Sequence, residues 1–238
     1  TGAMPTMPAR QLLRYVRAAQ RLGARLPQLV EAMGVGEADL RNPETQVSGD
    51  VYDRLIAAVV RETGDPLCML RLGEQTVPQT FSDMNFGSLF LPTLGAALSS
   101  SITVQINLNQ RFKVTIDRGP KESAFSLVET VNEGEPPRDI TLVALGLYNA
   151  NIQATGMDNA RFSEVHLPGP APKDADAIAQ YLGCPVHFGA TRNKTVLSNA
   201  LLEAPLPRAN RQVVKQYDDM LASLVTEKSQ IIRACRLY

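Results

Sequence analysis

The stretch YLGCPVHFGATRNKTVLSNALLEAPLP, residues 181–207, places Cys184 three residues before His187 in a chain with three cysteines and two histidines. Such a pair suggests a metal ligand set or a Cys-His nucleophile, and the backbone chemistry of the stretch argues against both. Gly183 and Pro185 break any helix around Cys184, and Val186-His187-Phe188 favours a strand. Residues three apart on a strand point to opposite faces. Cys184 and His187 therefore converge on one ion only if the strand begins between them, and His166 has no cysteine or second histidine at ligand spacing. A nucleophile pair would also need an orienting third group, and no local signature supplies one. The stretch reads instead as two strands, 185–190 and one within 194–199, leading to a proline-rich exit. No metal, cofactor or catalytic residue is expected.

Outward from this stretch the chain also lacks enzyme signatures: it has no G-x-S-x-G elbow, no G-x-x-x-x-G-K-[ST] phosphate loop and no complete G-x-G-x-x-G. At 238 residues, 44% hydrophobic and 20% charged, it is long enough to bury one large core or two small ones. Lys plus Arg equal Asp plus Glu at 24 each, so no global field draws it to nucleic acid. Cysteines at 68, 184 and 235 are odd in number and read as reduced, buried thiols. With no membrane-length apolar run and no export signal, the expected location is cytoplasmic, with no membrane partner. The Asn193-Lys194-Thr195 sequon is read as a chance match.

Residues 1–9 lack periodicity and are set apart as disordered or a tag remnant. Residues 10–80 read as a helical subdomain, with helices at 10–22, 26–33, 37–41, 49–63 and 66–72 and stops at Gly23, Gly34, Gly64 and Gly73. Arg10, Arg14, Arg17, Arg21 and Arg25 form a basic stripe on the first helix, read as a solvated face.

Residues 81–207 mix helix and strand. FKVTIDRG and SAFSLVETV form a hairpin across a Gly-Pro turn, and RDITLVALGLYNANIQATG is a buried helix. A strand at FSEVHL and a helix at KDADAIAQYLG lead back to the opening stretch. The interleaving predicts an α+β fold: an N-terminal helical region, then a mixed β-sheet with packed helices, then a C-terminal linker helix. SITVQINLNQ alternates like a strand, yet Thr93 caps TLGAALSS like a helix, and periodicity alone does not choose between them.

YLGCPVHFGATRNKTVLSNALLEAPLPRAN resembles the end of the N-terminal effector-binding, arabinose-binding-like domain of a large subgroup of AraC/XylS-type bacterial transcription regulators. That family carries F-G-C-P-V-x-F-G-A followed by L-x-x-P-L-P-x-A. Gly183, Cys184, Pro185, Val186, Phe188, Gly189, Ala190, Leu202, Pro205, Leu206, Pro207 and Ala209 fit the pattern, and Leu182 replaces its first aromatic. TGDPLCMLRLGEQ at 63–75 and PTLGAALSS at 92–100 are similar to two further family segments. The resemblance spans about 12–225 and implies that 93 to about 108 is helical. It also implies a small-molecule effector, and DNA contact only through a helix-turn-helix domain beyond Tyr238. Arabinose is not carried over, because the element order does not read as a jelly-roll barrel.

On this basis 81–207 is the α/β effector-binding region, and 208–238 is a linker or dimerisation helix with Tyr217, Leu221 and Leu224 along one side of a possible homodimer. Ligand-binding candidates are Asn85 and Phe86, where family members carry Gly-Tyr, then Asn107 and Arg111, then Tyr148, Asn149 and Ile152 on the buried helix. Arg111 would favour an amino or organic acid, whereas an apolar cavity without it would favour a fatty acyl or aromatic compound. Two alternatives stay open: a dimerisation-only module, and a DNA-contacting module through residues 28–42. QLVEAMGVGEADLRN has the spacing of a helix-turn-helix, but its second helix would present Glu37 and Asp39 to phosphates.

Overall fold

The computed structural model describes residues 5–76, 86–108 and 110–224, and among these the side chains other than those of 86, 104–108 and 220–224. The N-terminal layer contains α1 (Ala9–Arg21), α2 (Leu26–Met33), α3 (Glu37–Arg41), α4 (Asp50–Thr63) and α5 (Cys68–Glu74). Their apolar stripes meet in one core in which Leu12, Val16, Leu29, Met33, Leu40 and Leu55 are completely buried. Each such side chain stabilises the fold by about 1.5–3 kcal/mol. Gly34 and Gly64 end α2 and α4 in the left-handed conformation, at φ 67° and 60°.

Three features of this layer differ from the sequence reading. Residues 6–8, set apart as irregular, form strand β1 (Thr6–Pro8), antiparallel to β2 (Gln46–Ser48), and Met7 is buried. Three residues are too few to show periodicity, and it is the pairing with β2 that orders them. Gly73 is not a helix stop but lies inside α5. The arginine stripe is only partly solvated: Arg14 donates to the Thr76 carbonyl at 2.6 Å, Arg21 to the Gln75 carbonyl at 2.7 Å, and Arg25 pairs with Glu62 at 3.1 Å.

The second layer is a sheet of β3 (Phe112–Arg118), β4 (Glu122–Glu129), β5 (Glu164–Pro168), β6 (Val186–Ala190) and β7 (Lys194–Ser198), in the order β3-β4-β7-β5-β6. All neighbours are antiparallel except β5 and β6, which run parallel and are joined through α8 (Ala175–Leu182). The architecture is α+β, as expected. The segment 94–108 is helix α6 (Leu94–Leu108), so its alternation is accidental; Thr93 Oγ1 accepts from Ala96 N at 3.2 Å and starts it. A further helix, α9 (Asn199–Glu203), has no counterpart in the sequence reading; it is capped by Ser198 Oγ accepting from Leu201 N at 3.1 Å.

Between the layers runs α7 (Arg138–Ala154), buried on several sides as its composition predicts. It lies against α5 with glycine opposite backbone in both directions. A methyl added at Gly73 would come 1.9 Å from the Val143 carbonyl oxygen, and one at Gly146 would come 2.0 Å from that of Leu70.

The chain leaves the sheet along α6. Leu206 N donates to the Pro92 carbonyl at 3.1 Å and Asn210 N to the Phe90 carbonyl at 2.9 Å. The last described element is α10 (Arg211–Leu224), and its start is set by Asn210 Oδ1 accepting from Gln212 N and Val213 N. Tyr217 is buried, its ring so close to Gly87 in the 3-10 helix Phe86–Phe90 that a methyl there would lie 2.3 Å from it. The rest of the helix expected within 208–238 falls outside the described residues.

Candidate ligand pocket

A cavity of about 60 Å³ opens where α1, α4 and α6 meet α7 and the inner face of the β3–β4 hairpin. Tyr15 of α1 and Tyr52 of α4 meet edge to face with ring centres 5.1 Å apart, and Tyr52 meets Phe112 at 6.5 Å. Val114 and Leu127, register partners across the hairpin, form the sheet wall. Ile102 adds α6, and Ile140, Val143, Ala144, Leu147 and Tyr148 complete the lining. These α7 positions recur at intervals of three and four, which puts them on one helical face. Val114, Leu127, Ala144 and Tyr148 also line a second cavity of about 10 Å³ that reaches Thr141 and Thr195.

Burial raises the pKa of the Tyr52 hydroxyl well above the ordinary phenol value, and the adjacent Tyr15 adds to this. Burial raises that of Tyr148 in the same way. Tyr181 is raised by burial and by its hydrogen bond to Glu74. The Tyr52 and Tyr148 phenols are therefore neutral at physiological pH.

A pH dependence follows. The folded-state pKa values of Tyr52, Tyr148 and Tyr181 lie above the unfolded value of about 10. Their contribution to stability is complete below that pH and is lost as pH rises beyond it. In a spectrophotometric titration, these three of the six tyrosines should stay protonated past pH 10 and ionise together with unfolding. Ionisation of all six on one curve near pH 10, with the fold intact, would contradict this.

Of the residues singled out from sequence whose side chains are described, Tyr148 alone lines the cavity. Ile152 is fully buried in the core, and Asn149 is half-buried outside the lining. The buried amide of α7 is Asn151, whose Nδ2 donates to Ser101 Oγ at 3.2 Å and to the Leu147 carbonyl at 3.0 Å. Asn85 and the side chains of Phe86 and Asn107, like those of Leu221 and Leu224, lie outside the described residues.

Arg111 is 4% exposed and sits between two carboxylates, Asp53 of α4 at 2.7 Å and Glu129 of β4 at 2.8 Å, with its guanidinium 4.8 Å from the Phe112 ring centre. Burial disfavours its charge, but the two carboxylates outweigh that and raise its pKa. Its place is to tie the helical layer to the sheet beside the cavity. Tyr15, Tyr52 and Phe112 were missed because the elements carrying them are far apart in sequence. The available signal was aromatic residues on the apolar sides of two helices and a strand.

Cys184 lies just before β6, so the strand does begin between it and His187. The Cys184 thiol is buried, which pushes its pKa up to about 11 and makes it a poor nucleophile. The Asn193 side chain is buried and exchanges hydrogen bonds with both backbone groups of Leu127, at 2.9 and 2.8 Å, so the sequon is structural.

The fold and cavity define an α+β domain with an apolar chamber between a helical layer and a mixed sheet. The chain belongs to the family described as the N-terminal arabinose-binding domain of AraC transcription regulators, which matches residues 23–206. Among solved structures it is similar to the transcriptional regulator CdpR from Pseudomonas aeruginosa, with a TM-score of 0.56 and 16% identity over 92% of this chain. The chain spans 63% of that protein. A second similar structure is described as "Modulating Heme Redox Potential Through Protein-Induced Porphyrin Distortion", with a TM-score of 0.51 and 15% identity, covering 86% of this chain and all of the other. At these identities the two likenesses speak for the fold alone. No curated protein matches the sequence.

Proposed function

We propose that this domain senses an apolar or aromatic small molecule, such as a fatty acyl or ring compound, in the cavity bounded by Tyr15, Tyr52 and Tyr148. The observation that carries this reading is the lining: eight of its eleven residues are aliphatic or phenylalanine, and three phenol hydroxyls are its polar side chains. Such a site suits an apolar body with one or two hydrogen-bonding groups. A sugar needs more polar partners than these, and Arg111 is held by Asp53 and Glu129, which disfavours a carboxylate anchor. The cavity is small, and rotation of Tyr148, which lines both chambers, would join them to admit a larger ligand.

Transmission in this reading runs through α6 and α10. Ile102 lines the cavity on α6, and the chain just before α6 bonds to residues 206 and 210 and carries the Gly87–Tyr217 contact. A ligand that prefers one placement of α6 thereby biases α10 and, through it, the pairing of attached DNA-binding domains. If Tyr217→Ala left the ligand response of the full-length regulator unchanged, this route would be wrong. Tyr217 packs within its own chain, which argues against a module whose C-terminal helix serves dimerisation only. DNA contact through 28–42 is disfavoured by the five-residue α3, whose Leu40 is fully buried and whose first turn is acidic.

A thermal-shift screen of fatty acyl and aromatic compounds tests the pocket. A ligand at 100 times its Kd should stabilise the protein by about 2.7 kcal/mol. Ala144→Leu fills the cavity and should abolish that shift while leaving the unliganded melting temperature within a few degrees. An undiminished shift in Ala144→Leu would place the ligand elsewhere.

A further inference from the structure

His166 and His187, far apart in sequence, are register partners on the parallel strands β5 and β6. Both point away from the core face, on which the neighbouring Val165 and Leu167 are fully buried. Glu164 stands two residues before His166 and shares its face. Its Oε1 lies 2.8 Å from His166 Nε2 and its Oε2 lies 3.2 Å from His187 Nε2. The two imidazole centres are 4.8 Å apart, and one ligand atom from each of the three residues falls within 4.8 Å of the others.

We propose that Glu164, His166 and His187 bind a divalent transition-metal ion of the zinc class. Two imidazoles and one carboxylate suit Zn²⁺, Co²⁺, Ni²⁺ and Cu²⁺, whereas Mg²⁺ and Ca²⁺ prefer all-oxygen sets. Ligands at about 2.0–2.1 Å around a tetrahedral ion are separated by roughly 3.3 Å. The 2.8 and 3.2 Å contacts run to different oxygens of Glu164, and one ligand atom from each residue lies within 4.8 Å of the others, so rotation of the partly exposed side chains draws one carboxylate oxygen and both ring nitrogens to that spacing. All three side chains are partly exposed, so an ion enters directly from solvent and keeps water at its fourth position.

The charge nearby is mixed. Lys194 is the register partner of His166 on β7 and is exposed, so its ammonium opposes the dication but is free to swing away. The site also spans two strands, and β6 is the edge strand of the sheet. A bound ion would therefore pin that edge to β5, on the face of the sheet opposite the apolar cavity and independent of it.

The test is titration of the 238-residue chain with Zn²⁺ by calorimetry and with Co²⁺ by visible absorption, alongside His166→Ala, His187→Ala and Glu164→Gln. Each side chain is partly exposed, so the variants should melt close to the parent, which circular dichroism checks. One ion per chain is expected, bound at least tenfold more weakly by each variant and more tightly by Lys194→Ala. Affinity should rise from Co²⁺ to Ni²⁺ to Cu²⁺, and hydrogen exchange across 186–190 should slow on binding. Equal affinity in the His166→Ala/His187→Ala double variant, or no Zn²⁺ binding by the parent at millimolar concentration, overturns the site.

Discussion

Replacing Gly146 by valine is expected to cost at least about 3 kcal/mol of stability, which in a domain of this size lowers the melting temperature by about 8 °C. The cause is local. A side chain there begins 2.0 Å from the Leu70 carbonyl oxygen and 2.7 Å from its carbon, and both are backbone atoms of α5 that cannot rotate aside. The two helices would have to separate, and the reciprocal contact, Gly73 against the Val143 carbonyl, would open with them. Because Val143 and Leu147 also line the cavity, ligand stabilisation should fall along with the fold. Gly36→Ala is the control, since its added methyl meets nothing nearer than 3.8 Å. Equal denaturation midpoints for the two variants would refute the interlock.

Arg111→Met should be the second large loss, about 2–3 kcal/mol. Breaking a fully buried ion pair typically costs about 3–5 kcal/mol; here Asp53 and Glu129 are 36% and 19% exposed, so water relieves part of that cost. The methionine keeps much of the side-chain volume, so the effect reports the lost charge more than a void. Asp53→Asn combined with Arg111→Met should be less destabilising than the sum of the single changes, because the partners act as one unit. Strict additivity in chemical denaturation would mean that the arginine does not join α4 to the sheet. A ligand that bound the parent through its carboxylate and lost all affinity in Arg111→Met at unchanged stability would return the arginine to the ligand site.

Much of the fold could be read along the chain because it rests on local physics. Apolar repeats of three and four, left-handed glycines at 34 and 64, and the alternation in FKVTIDRG place most helices and the hairpin close to where they lie. The helix at 94–108 was legible only through family resemblance, since Ile102, Val104, Ile106 and Leu108 alternate as a strand would. Features that depend on a partner element were silent. Gly73 looked like a helix stop and is a helix-crossing point, and residues 6–8 looked irregular and form a strand.

The sequence by itself determined the α+β class, the order of most elements and the family, all of which follow from neighbours within a few residues. Only the tertiary structure decided which side chains share a space. It brought Tyr15, Tyr52 and Tyr148 to one cavity, closed Arg111 between Asp53 and Glu129, and set His166 opposite His187 on adjacent strands. The reason is physical: backbone preference and hydrophobic period act along the chain, whereas a site is made where distant segments cross, and strand register and helix approach fix that crossing.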